Sequence, residues 1–465
     1  MTEEIRGHVV VLGAGRSGCA VAEYVATDAS CGTDVRVTLV DGGIGSALET
    51  RATALRAMGV NVVLGSSSMP ADADLIVASP GIPPASPVMV AARASGVPVI
   101  SELEFAYRVS SSPWIAITGT NGKTTTTALL EHLLRESGVP AESVGNIGRA
   151  ATRVAGESGP ATVLVAEVSS FQLALTDRFH PRVAVLLNIT PDHVDWHGSL
   201  DAYTADKARV FANQTSGDTA VINVDDPGSA PFAAQVRARG VSVCEVGIAG
   251  EGADSTVDGG MLVLTVHGER VPLVQIDELQ IRGDHNVSNA LAAAAAAQAI
   301  GASLPDIRNG LRSFEPIEHR LESVGVVSGV EYFNDSKATN PDAVLKALTA
   351  FEDRPLVVLL GGHNKGNDFG ELAHAVSQRC KGAVIFGESA GEFARAFSES
   401  CPPSFEVVCT EGMVDALAAA AVMTVPGDVV TLSPACASFD EFDDYEHRGR
   451  VFRETVRSMS AEVTP

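Results

Sequence analysis

The chain has 465 residues, of which 45% are hydrophobic and 19% are charged, so it is long enough for about three domains and apolar enough to build large cores. The formal net charge of −24 argues against a broad basic surface for nucleic-acid backbones, although a phosphate can still be bound locally by backbone amides and a lysine. We expect an acidic, solvated surface and no nucleic-acid partner.

The cysteines are scattered, without a CxxC pair or the spacing of a zinc site, which is typical of free thiols in a reducing compartment. They are Cys19, Cys31, Cys244, Cys380, Cys401, Cys409 and Cys436. Residues 1–5 lack a basic region followed by an apolar stretch, and the most apolar run, residues 291–300, is too short to span a bilayer. We therefore expect a cytoplasmic protein with no secretion signal and no membrane insertion.

Short apolar runs alternate with amphipathic stretches of helical length, a pattern typical of parallel sheets wrapped by helices. A polar linker at 110–113 and a second break at 313–316 divide the pattern into three segments. The prediction is an α/β protein with domains at 1–112, 113–315 and 316–465. The alanine-rich stretch 290–298 favours a closely packed helix.

The first strand is followed by a glycine pattern, Gly13-Ala14-Gly15-Arg16-Ser17-Gly18, and Asp41 ends the next strand. This arrangement is typical of a dinucleotide-binding turn with an acid that contacts a ribose. The pattern itself requires only a bound diphosphate. NAD and a UDP compound are therefore both compatible with it.

A second phosphate-binding pattern opens the middle segment. Strand 114–118 leads into Gly119-Thr120-Asn121-Gly122-Lys123-Thr124-Thr125, and a helical run over 126–137 follows. Backbone amides and the helix dipole would face phosphates there, Lys123 would reach the outer phosphates, and Thr124 would hold Mg²⁺. The loop is shorter than the common GxxxxGK[ST] form, so a purely structural turn is the alternative.

Two further strands end in polar side chains. Strand 163–166 ends at Glu167, and strand 183–187 leads through Asn188 to His193. Because the carboxyl ends of parallel strands share one edge, these groups are expected beside Lys123. Glu167 is a candidate Mg²⁺ ligand, and His193 is a candidate at a second metal ion.

The segment 192–197, Asp-His-Val-Asp-Trp-His, suggests zinc by its composition. Its spacing is not that of a metal-binding helix, which weakens this reading. A loop of solvated polar residues is the favoured interpretation for Asp195 and His197.

These motifs resemble those of the Mur ligases, and the resemblance covers nearly the whole chain. It rests on the stretches 119–125, 145–148, 167–173, 188–193, 283–289, 319–320, 334–340 and 433–438, in this order. The stretches Asn334 to Asn340 and Ser433 to Ser438 are similar to those of the family members that add D-glutamate.

The resemblance implies a Rossmann-like N-terminal domain for UDP, a central P-loop-type ATPase domain with a mostly parallel sheet, and a Rossmann-like C-terminal domain for the incoming amino acid. The implied activity joins D-glutamate to UDP-N-acetylmuramoyl-L-alanine through an acyl phosphate, forming ADP, in peptidoglycan precursor synthesis. The implied cofactors are ATP, two Mg²⁺ ions and a carbamoylated lysine. We expect a monomer.

The resemblance also implies roles for individual residues. The implied ATP contacts are Gly119, Thr120, Asn121, Gly122, Lys123, Thr124, Thr125, Asn286, Asn289, Arg320 and Asp335. The implied UDP-substrate contacts are Arg16, Ser17, Asp41, Gly81, Asn146, Ser169, Gln172 and His193. The implied D-glutamate contacts are Lys337, Thr339, Lys365, Ser438 and Tyr445. The implied metal ligands are Thr124, Glu167, His193 and Lys207 as a carbamate. The implied catalytic residues are Lys123, Lys207, His193 and His319.

Two positions depart from the family pattern. Gly42 and Gly43 follow Asp41 where the family commonly has threonine and arginine, so some uridine contacts must be lost or supplied elsewhere. Tyr445 stands where phenylalanine is common, which keeps the stacking surface and adds a hydroxyl.

Several alternatives stay open on the residues alone. Lys207 lies four residues after Tyr203 in a helical run, and this spacing alone favours an ordinary surface lysine; only the resemblance favours the carbamate. Lys337 and Lys365 also fit solvated surface lysines, and His319 suits either proton acceptance or substrate orientation. The rival functions are an NAD-dependent oxidoreductase, a noncatalytic nucleotide sensor and a sister amide ligase of the folylpolyglutamate type.

Overall fold

The computed structural model describes residues 4–28, 31–32, 34–249, 252–351 and 354–463, with only the backbone at 194–195 and 461–463. The chain divides into two compact units. One comprises Met1–Leu279 and Ser288–Ser313, and the other comprises Gln280–Val287 and Phe314–Pro465.

The first unit opens with a parallel sheet of five strands in the order β3-β2-β1-β4-β5. The strands are β1 (His8–Leu12), β2 (Arg36–Asp41), β3 (Asn61–Leu64), β4 (Leu75–Ala78) and β5 (Val99–Ser101). The helices are α1 (Arg16–Thr27), α2 (Ser46–Ala57), α3 (Pro87–Ala94) and α4 (Glu102–Val109). Strand order reverses at β1 and β4, the place where ligands bind in open sheets of this kind.

The same unit holds a nine-stranded sheet in the order β14-β13-β12-β11-β10-β9-β6-β8-β7, in which only β12–β13 and β13–β14 pair antiparallel. Its strands are β6 (Trp114–Thr118), β7 (Ala141–Gly145), β8 (Val163–Glu167), β9 (Val183–Leu186), β10 (Thr219–Asn223), β11 (Ser242–Gly247), β12 (Ser255–Asp258), β13 (Met261–Val266) and β14 (Glu269–Gln275). The helices of this region are α5 (Lys123–Glu136), α6 (Ala151–Glu157), α7 (Ser170–Leu173), α8 (Val194–His197), α9 (Leu200–Ala208), α10 (Pro231–Arg237), α11 (Asp284–Ala299) and α12 (Leu304–Ser313), and the first residues of α11, up to Val287, belong to the second unit.

The second unit contains a six-stranded sheet in the order β15-β16-β20-β17-β18-β19, parallel except for β15–β16. Its strands are β15 (Glu322–Val327), β16 (Val330–Asn334), β17 (Leu356–Gly361), β18 (Gly382–Phe386), β19 (Glu406–Cys409) and β20 (Val429–Ala435). Its helices are α13 (Pro341–Leu348), α14 (Gly370–Arg379), α15 (Ala390–Ser400), α16 (Met413–Met423) and α17 (Tyr445–Val463).

Central strands are apolar along their whole length because both sheet faces are covered by helices. In β1, Val9 and Val11 belong to one core and Val10 and Leu12 to another. In β17, Val358 and Leu360 likewise face one core while Val357 and Leu359 face the other. Two-sided burial explains why these strands read as continuous apolar runs.

Three sheets, one in each predicted segment, confirm the three-domain α/β organisation. The boundaries near residues 112 and 315 stay predictions, since the first two sheets lie in one compact unit. The alanine-rich stretch forms most of α11, with Ala290–Ala297 buried. All the cysteines are free thiols. In the described part of the chain, no helix is both long and apolar enough to cross a membrane.

Candidate active site

The glycine-rich loop lies between β6 and α5, and the helix begins at Lys123, earlier than the predicted start at residue 126. Gly122 has a φ of +83°, and a Cβ there would lie 2.4 Å from Asn289 Oδ1, so both conformation and space require glycine. The N-cap residue Gly122 has no side chain with which to cap the helix. The first-turn amides of α5 therefore form an anion-binding site, the type expected for a nucleotide phosphate.

The loop is fixed from the neighbouring strand end. Asn188, just after β9, accepts a hydrogen bond from Asn121 N at 2.8 Å and returns one from Nδ2 to Asn121 O at 3.1 Å. Thr120 N donates to Asn188 O at 2.9 Å. This bracing holds the loop in one conformation.

Two lysines meet at one carbonyl oxygen of the loop. Lys123 Nζ donates to Gly119 O at 2.9 Å and to Thr120 O at 2.8 Å, and Lys207 Nζ donates to Gly119 O at 2.8 Å. Both amino groups therefore lie at the predicted phosphate site. Residue spacing alone does not indicate that Lys207 lies beside Lys123.

Lys207 is buried, with 2% of its surface exposed, which excludes an ordinary surface lysine. Its ammonium lies 4.6 Å from the ring centroid of Tyr203, whose hydroxyl is 3.0 Å from Thr120 Oγ1. Burial, and then the charge of Lys123, lowers the pKa of Lys207 well below its usual value. A larger fraction of this lysine is therefore a neutral amine.

Glu167, at the end of β8, is buried beside the loop. Thr124 Oγ1 donates to Glu167 Oε2 at 2.7 Å, and Asn146 Nδ2 donates to Glu167 Oε1 at 2.8 Å. A carboxylate and a hydroxyl are the oxygen ligands that Mg²⁺ prefers, and the donor set suits this ion. Among the described residues, no three His, Cys, Asp or Glu side chains form a metal site by themselves.

His193 has a left-handed backbone, with a φ of 51°, and its ring centroid lies 4.8 Å from that of Phe171 in α7. Its side chain is half exposed, and Nε2 lies 3.6 Å from Asp192 Oδ2. The ring is thus accessible at the edge that carries Glu167. A role at a second metal ion stays a prediction.

The structure corrects the interpretation of His197 as a solvated loop residue. It belongs to the short helix α8, and its side chain is fully buried. Nδ1 lies 2.7 Å from Asp206 in α9, and Nε2 lies 2.9 Å from Ser170 Oγ in α7. His197 therefore ties two helices that flank the site. The side chain of Asp195, predicted to be solvated, lies outside the described residues.

Ser169 and Gln172 form a reciprocal cap on α7. Ser169 Oγ accepts from Gln172 N at 3.2 Å, and Gln172 Oε1 accepts from Ser169 N at 2.9 Å. With Asn146, which contacts Glu167, these predicted UDP-substrate residues lie around the ends of β7 and β8.

The first glycine pattern forms a tight strand–helix turn. A Cβ on Gly18 would lie 1.9 Å from Gly13 O, so glycine permits the close packing of α1 on β1. Arg16 and Ser17 lie in the first turn of α1, where no described side chain caps the helix. Gly81 follows β4, the strand beside β1, so the predicted UDP contacts share one sheet edge.

Asp41 shapes this turn as well as ending β2. Its Oδ2 accepts from Ala14 N at 2.6 Å, and its Oδ1 accepts from Gly43 N at 2.7 Å. A Cβ on Gly43 would lie 2.9 Å from Leu48 Cδ1. Gly42 and Gly43, which differ from the residues common in the family, therefore allow a compact loop around the Asp41 carboxylate.

Residues predicted for D-glutamate lie at the ends of neighbouring strands of the second unit. Lys337 and Thr339 follow β16, Ser438 follows β20, and the exposed Lys365 follows β17. The Lys337 ammonium lies 3.7 Å from the ring centroid of Tyr445, so tyrosine provides a stacking surface there. Two lysines at this edge suit a dicarboxylate.

His319 is buried and also has a left-handed backbone, with a φ of 64°. Asn334 Nδ2 lies 2.9 Å from its Nδ1, and burial lowers the pKa of His319. A neutral imidazole can accept a proton, although its contact with Asn334 equally favours an orienting role.

Asp335, a predicted ATP contact, is buried and accepts from Ser433 Oγ at 2.7 Å. Burial raises its pKa to about 7, partly offset by Ser433 and the charge of Arg320. Asn286 lies in the same unit and donates to Arg282 O at 2.8 Å, whereas Asn289 lies in the first unit beside Gly122.

Three models of Mur ligase domains match the chain in sequence order. They are the Mur ligase MurD-like N-terminal domain at residues 7–101, the Mur ligase middle domain at 117–297, and the Mur ligase glutamate ligase domain at 319–436. Their order follows that of the three sheets.

Named relatives match the chain from end to end. A UDP-N-acetylmuramoylalanine–D-glutamate ligase from Pelotomaculum thermopropionicum is 44% identical, over 98% of each chain. One from Geobacillus kaustophilus is 39% identical, over 97% of each chain. The crystal structure of UDP-N-acetylmuramate-alanine ligase from Thermotoga maritima shares the fold, with a TM-score of 0.60, 20% identity, and 97% of this chain and 100% of that one covered. Because these relatives are 44% and 39% identical over nearly the full length, and the three domain models match in order, the chain belongs to the Mur ligase family.

Proposed function

We propose that the protein joins D-glutamate to UDP-N-acetylmuramoyl-L-alanine in an ATP-dependent, ADP-forming reaction of peptidoglycan precursor synthesis. The observation that carries this conclusion is the high identity, over nearly the full length, to relatives that bear the name of this ligase. The loop with Lys123 and Lys207 suits phosphoryl transfer from ATP. The sheet edge of the second unit, with Lys337 and Lys365, suits binding of D-glutamate.

The reaction needs an activated carboxylate, because amide formation from a free carboxylate is uphill. The alanyl carboxylate attacks the γ-phosphorus of ATP, which forms an acyl phosphate and releases ADP. The amine of D-glutamate then attacks the acyl carbon, and the tetrahedral intermediate expels phosphate. The roles of the protein are to orient these groups and to stabilise developing charge.

In the first step, the amides of α5 and the ammonium of Lys123 stabilise charge on the transferred phosphoryl group. Thr124 and Glu167 would hold Mg²⁺, which supplies charge neutralisation when bound. Lys207, as a carbamate, and His193 would complete a second metal position. The carbamate rests on the family resemblance and is supported by the burial and lowered pKa of this lysine.

In the second step, Lys337 and Lys365 pair with the carboxylates of D-glutamate, while Thr339, Ser438 and Tyr445 line its site. His319 accepts the proton of the attacking amine or orients it. Arg320, Asp335, Asn286 and Asn289 contact the nucleotide. A cytoplasmic location and a monomeric state complete the proposal.

The rival functions leave more of the molecule without a role. An oxidoreductase uses the first glycine pattern but not the α5 loop or the third sheet. A nucleotide sensor leaves the third sheet's lysines unexplained. A folylpolyglutamate-type ligase shares the chemistry, but the near full-length relatives carry the name of the D-glutamate enzyme.

An omission assay tests the function directly. Phosphate release is expected only when ATP, UDP-N-acetylmuramoyl-L-alanine and D-glutamate are all present. Release with L-glutamate and a folate substrate instead would favour the sister ligase. Nicotinamide turnover, or ATP hydrolysis indifferent to the amino acid, would contradict the proposal.

Asp41 provides a test of the UDP site. Asp41→Ala is expected to raise the KM for the UDP substrate about ten-fold, because it removes a uracil contact and two backbone braces. The KM values for ATP and D-glutamate should stay unchanged. Asp72→Ala is the matched control, since Asp72 contacts His8 and Arg36 at the opposite ends of β1 and β2. A selective rise in the KM for ATP would refute the assignment.

A further inference from the structure

Arg448, in α17, is completely buried, although arginine is rarely found without solvent contact. Its guanidinium donates to two stretches of chain far apart in sequence. Nε donates to Ser336 Oγ at 3.0 Å, and Nη2 donates to Ser336 O at 2.9 Å. Nη2 also donates to Cys436 O at 3.1 Å, and Nη1 donates to Ala437 O at 3.3 Å. One rigid group thus ties the turn after β16 to the turn after β20.

Both turns carry residues of the proposed amino-acid site. Ser336 immediately precedes Lys337, and Ala437 immediately precedes Ser438. We propose that Arg448 is a positioning residue for D-glutamate: it fixes the spacing between the lysine on one turn and the serine on the other. The inference rests on the proposed function.

Further contacts extend this arrangement. Ala437 exchanges two backbone hydrogen bonds with His363, at 2.8 and 3.0 Å, and His363 lies two residues before Lys365. Ser336 Oγ also donates to Tyr445 O at 2.8 Å. Lys337 and Ser438 are therefore next in sequence to acceptors of the Arg448 guanidinium. Tyr445 is bonded through its carbonyl oxygen to Ser336, and Lys365 lies two residues from His363, which pairs with Ala437.

The residues around the Arg448 side chain leave room for its guanidinium. A Cβ on Gly362 would lie 3.0 Å from Arg448 Nη1 and 2.2 Å from Ala437 O. Burial lowers the pKa of Arg448 to about 10, with Asp440 and other acidic groups opposing the shift, so the group stays charged at neutral pH. The planar guanidinium of arginine donates to acceptors on both turns at once, whereas the compact ammonium of lysine donates from one nitrogen only.

Arg448→Lys tests the inference because it keeps the charge and removes the fork. We expect the KM for D-glutamate to rise about ten-fold or more, since several charge-assisted bonds are lost. The D-glutamate-independent step, measured by borohydride trapping of the acyl phosphate, should be unchanged. A general structural role would instead lower both steps and the thermal stability together.

Arg354→Lys is the matched control. Arg354 pairs with Glu331 at 2.5 Å in the same unit and touches neither turn. It should leave the KM for D-glutamate unchanged. A folded Arg448→Lys variant with an unaltered KM for D-glutamate, or with equal losses in both steps, would overturn the inference.

If Arg448→Lys does not fold, Arg448→Ala with a low concentration of guanidinium chloride replaces it. Recovery of D-glutamate affinity on guanidinium addition supports the positioning role, and recovery of stability alone overturns it. If that variant also fails to fold, Ser336→Ala removes the Nε acceptor together with the bond from Ser336 Oγ to Tyr445 O, and an unchanged KM for D-glutamate then refutes the inference. A wrong proposed function can be distinguished from a wrong role for Arg448. If the proposed function is wrong, the wild-type protein itself releases no phosphate in response to D-glutamate.

Discussion

Replacing Lys123 with alanine is expected to lower kcat by about a thousand-fold while the protein stays folded. Lys123 begins α5 and extends over the loop whose amides face the phosphate site. Its ammonium would contact the phosphoryl group during transfer, when charge spreads over the phosphoryl oxygens. Loss of such a contact raises the transition-state energy more than the ground-state energy, so kcat falls even at saturating ATP.

The measurement is steady-state phosphate release at saturating substrates, together with a thermal melt. Arg135→Ala is the matched control, because Arg135 is a cation at the other end of the same helix. It should keep nearly full activity. Near-normal kcat in folded Lys123→Ala would refute the assignment of the loop to ATP.

Replacing Lys207 with alanine is expected to lower kcat about a hundred-fold, by loss of a group that orients and binds the metal. Burial lowers the pKa of Lys207, so its neutral amine forms more readily, and a neutral amine attacks CO₂ to form a C–N bond and release a proton. The resulting carbamate offers anionic oxygens, whereas an ammonium has donors only.

Chemical rescue separates this role from simple packing. Acetate should restore part of the activity of Lys207→Ala by occupying the vacated oxygen position, and it should not activate the wild-type protein. Lys207→Arg is the control, because arginine keeps the charge and cannot form a carbamate. Full activity in Lys207→Arg, or in Lys207→Ala without acetate, would contradict the proposal.

The sequence predicted the features that follow from local pattern and topology. Continuous apolar runs such as residues 9–12 and 357–360 indicated buried parallel strands, and both form central strands. The shared sheet edge brought Glu167 close to Thr124, as the strand-end argument required.

Features that depend on long-range packing escaped prediction. His197 looked like a solvated loop residue because its partners, Ser170 and Asp206, come together only after three short helices fold. Nothing near Arg448 in the sequence indicates its burial or its four acceptors, which are three backbone oxygens and Ser336 Oγ. The proximity of Lys207 to Lys123 likewise arises from tertiary structure and not from spacing.

Oxygen transfer from the carboxylate to phosphate tests the central claim most directly. UDP-N-acetylmuramoyl-L-alanine labelled with ¹⁸O in both carboxylate oxygens is incubated with ATP, D-glutamate and the enzyme, and the released phosphate is analysed by mass spectrometry. Attack of the carboxylate on ATP places one labelled oxygen in each phosphate, because the acyl–oxygen bond breaks when the amine attacks. Phosphate without ¹⁸O, which holds three oxygens from the γ-phosphoryl group of ATP and one from water, would mean that ATP is hydrolysed without activating the substrate, and the account would be wrong.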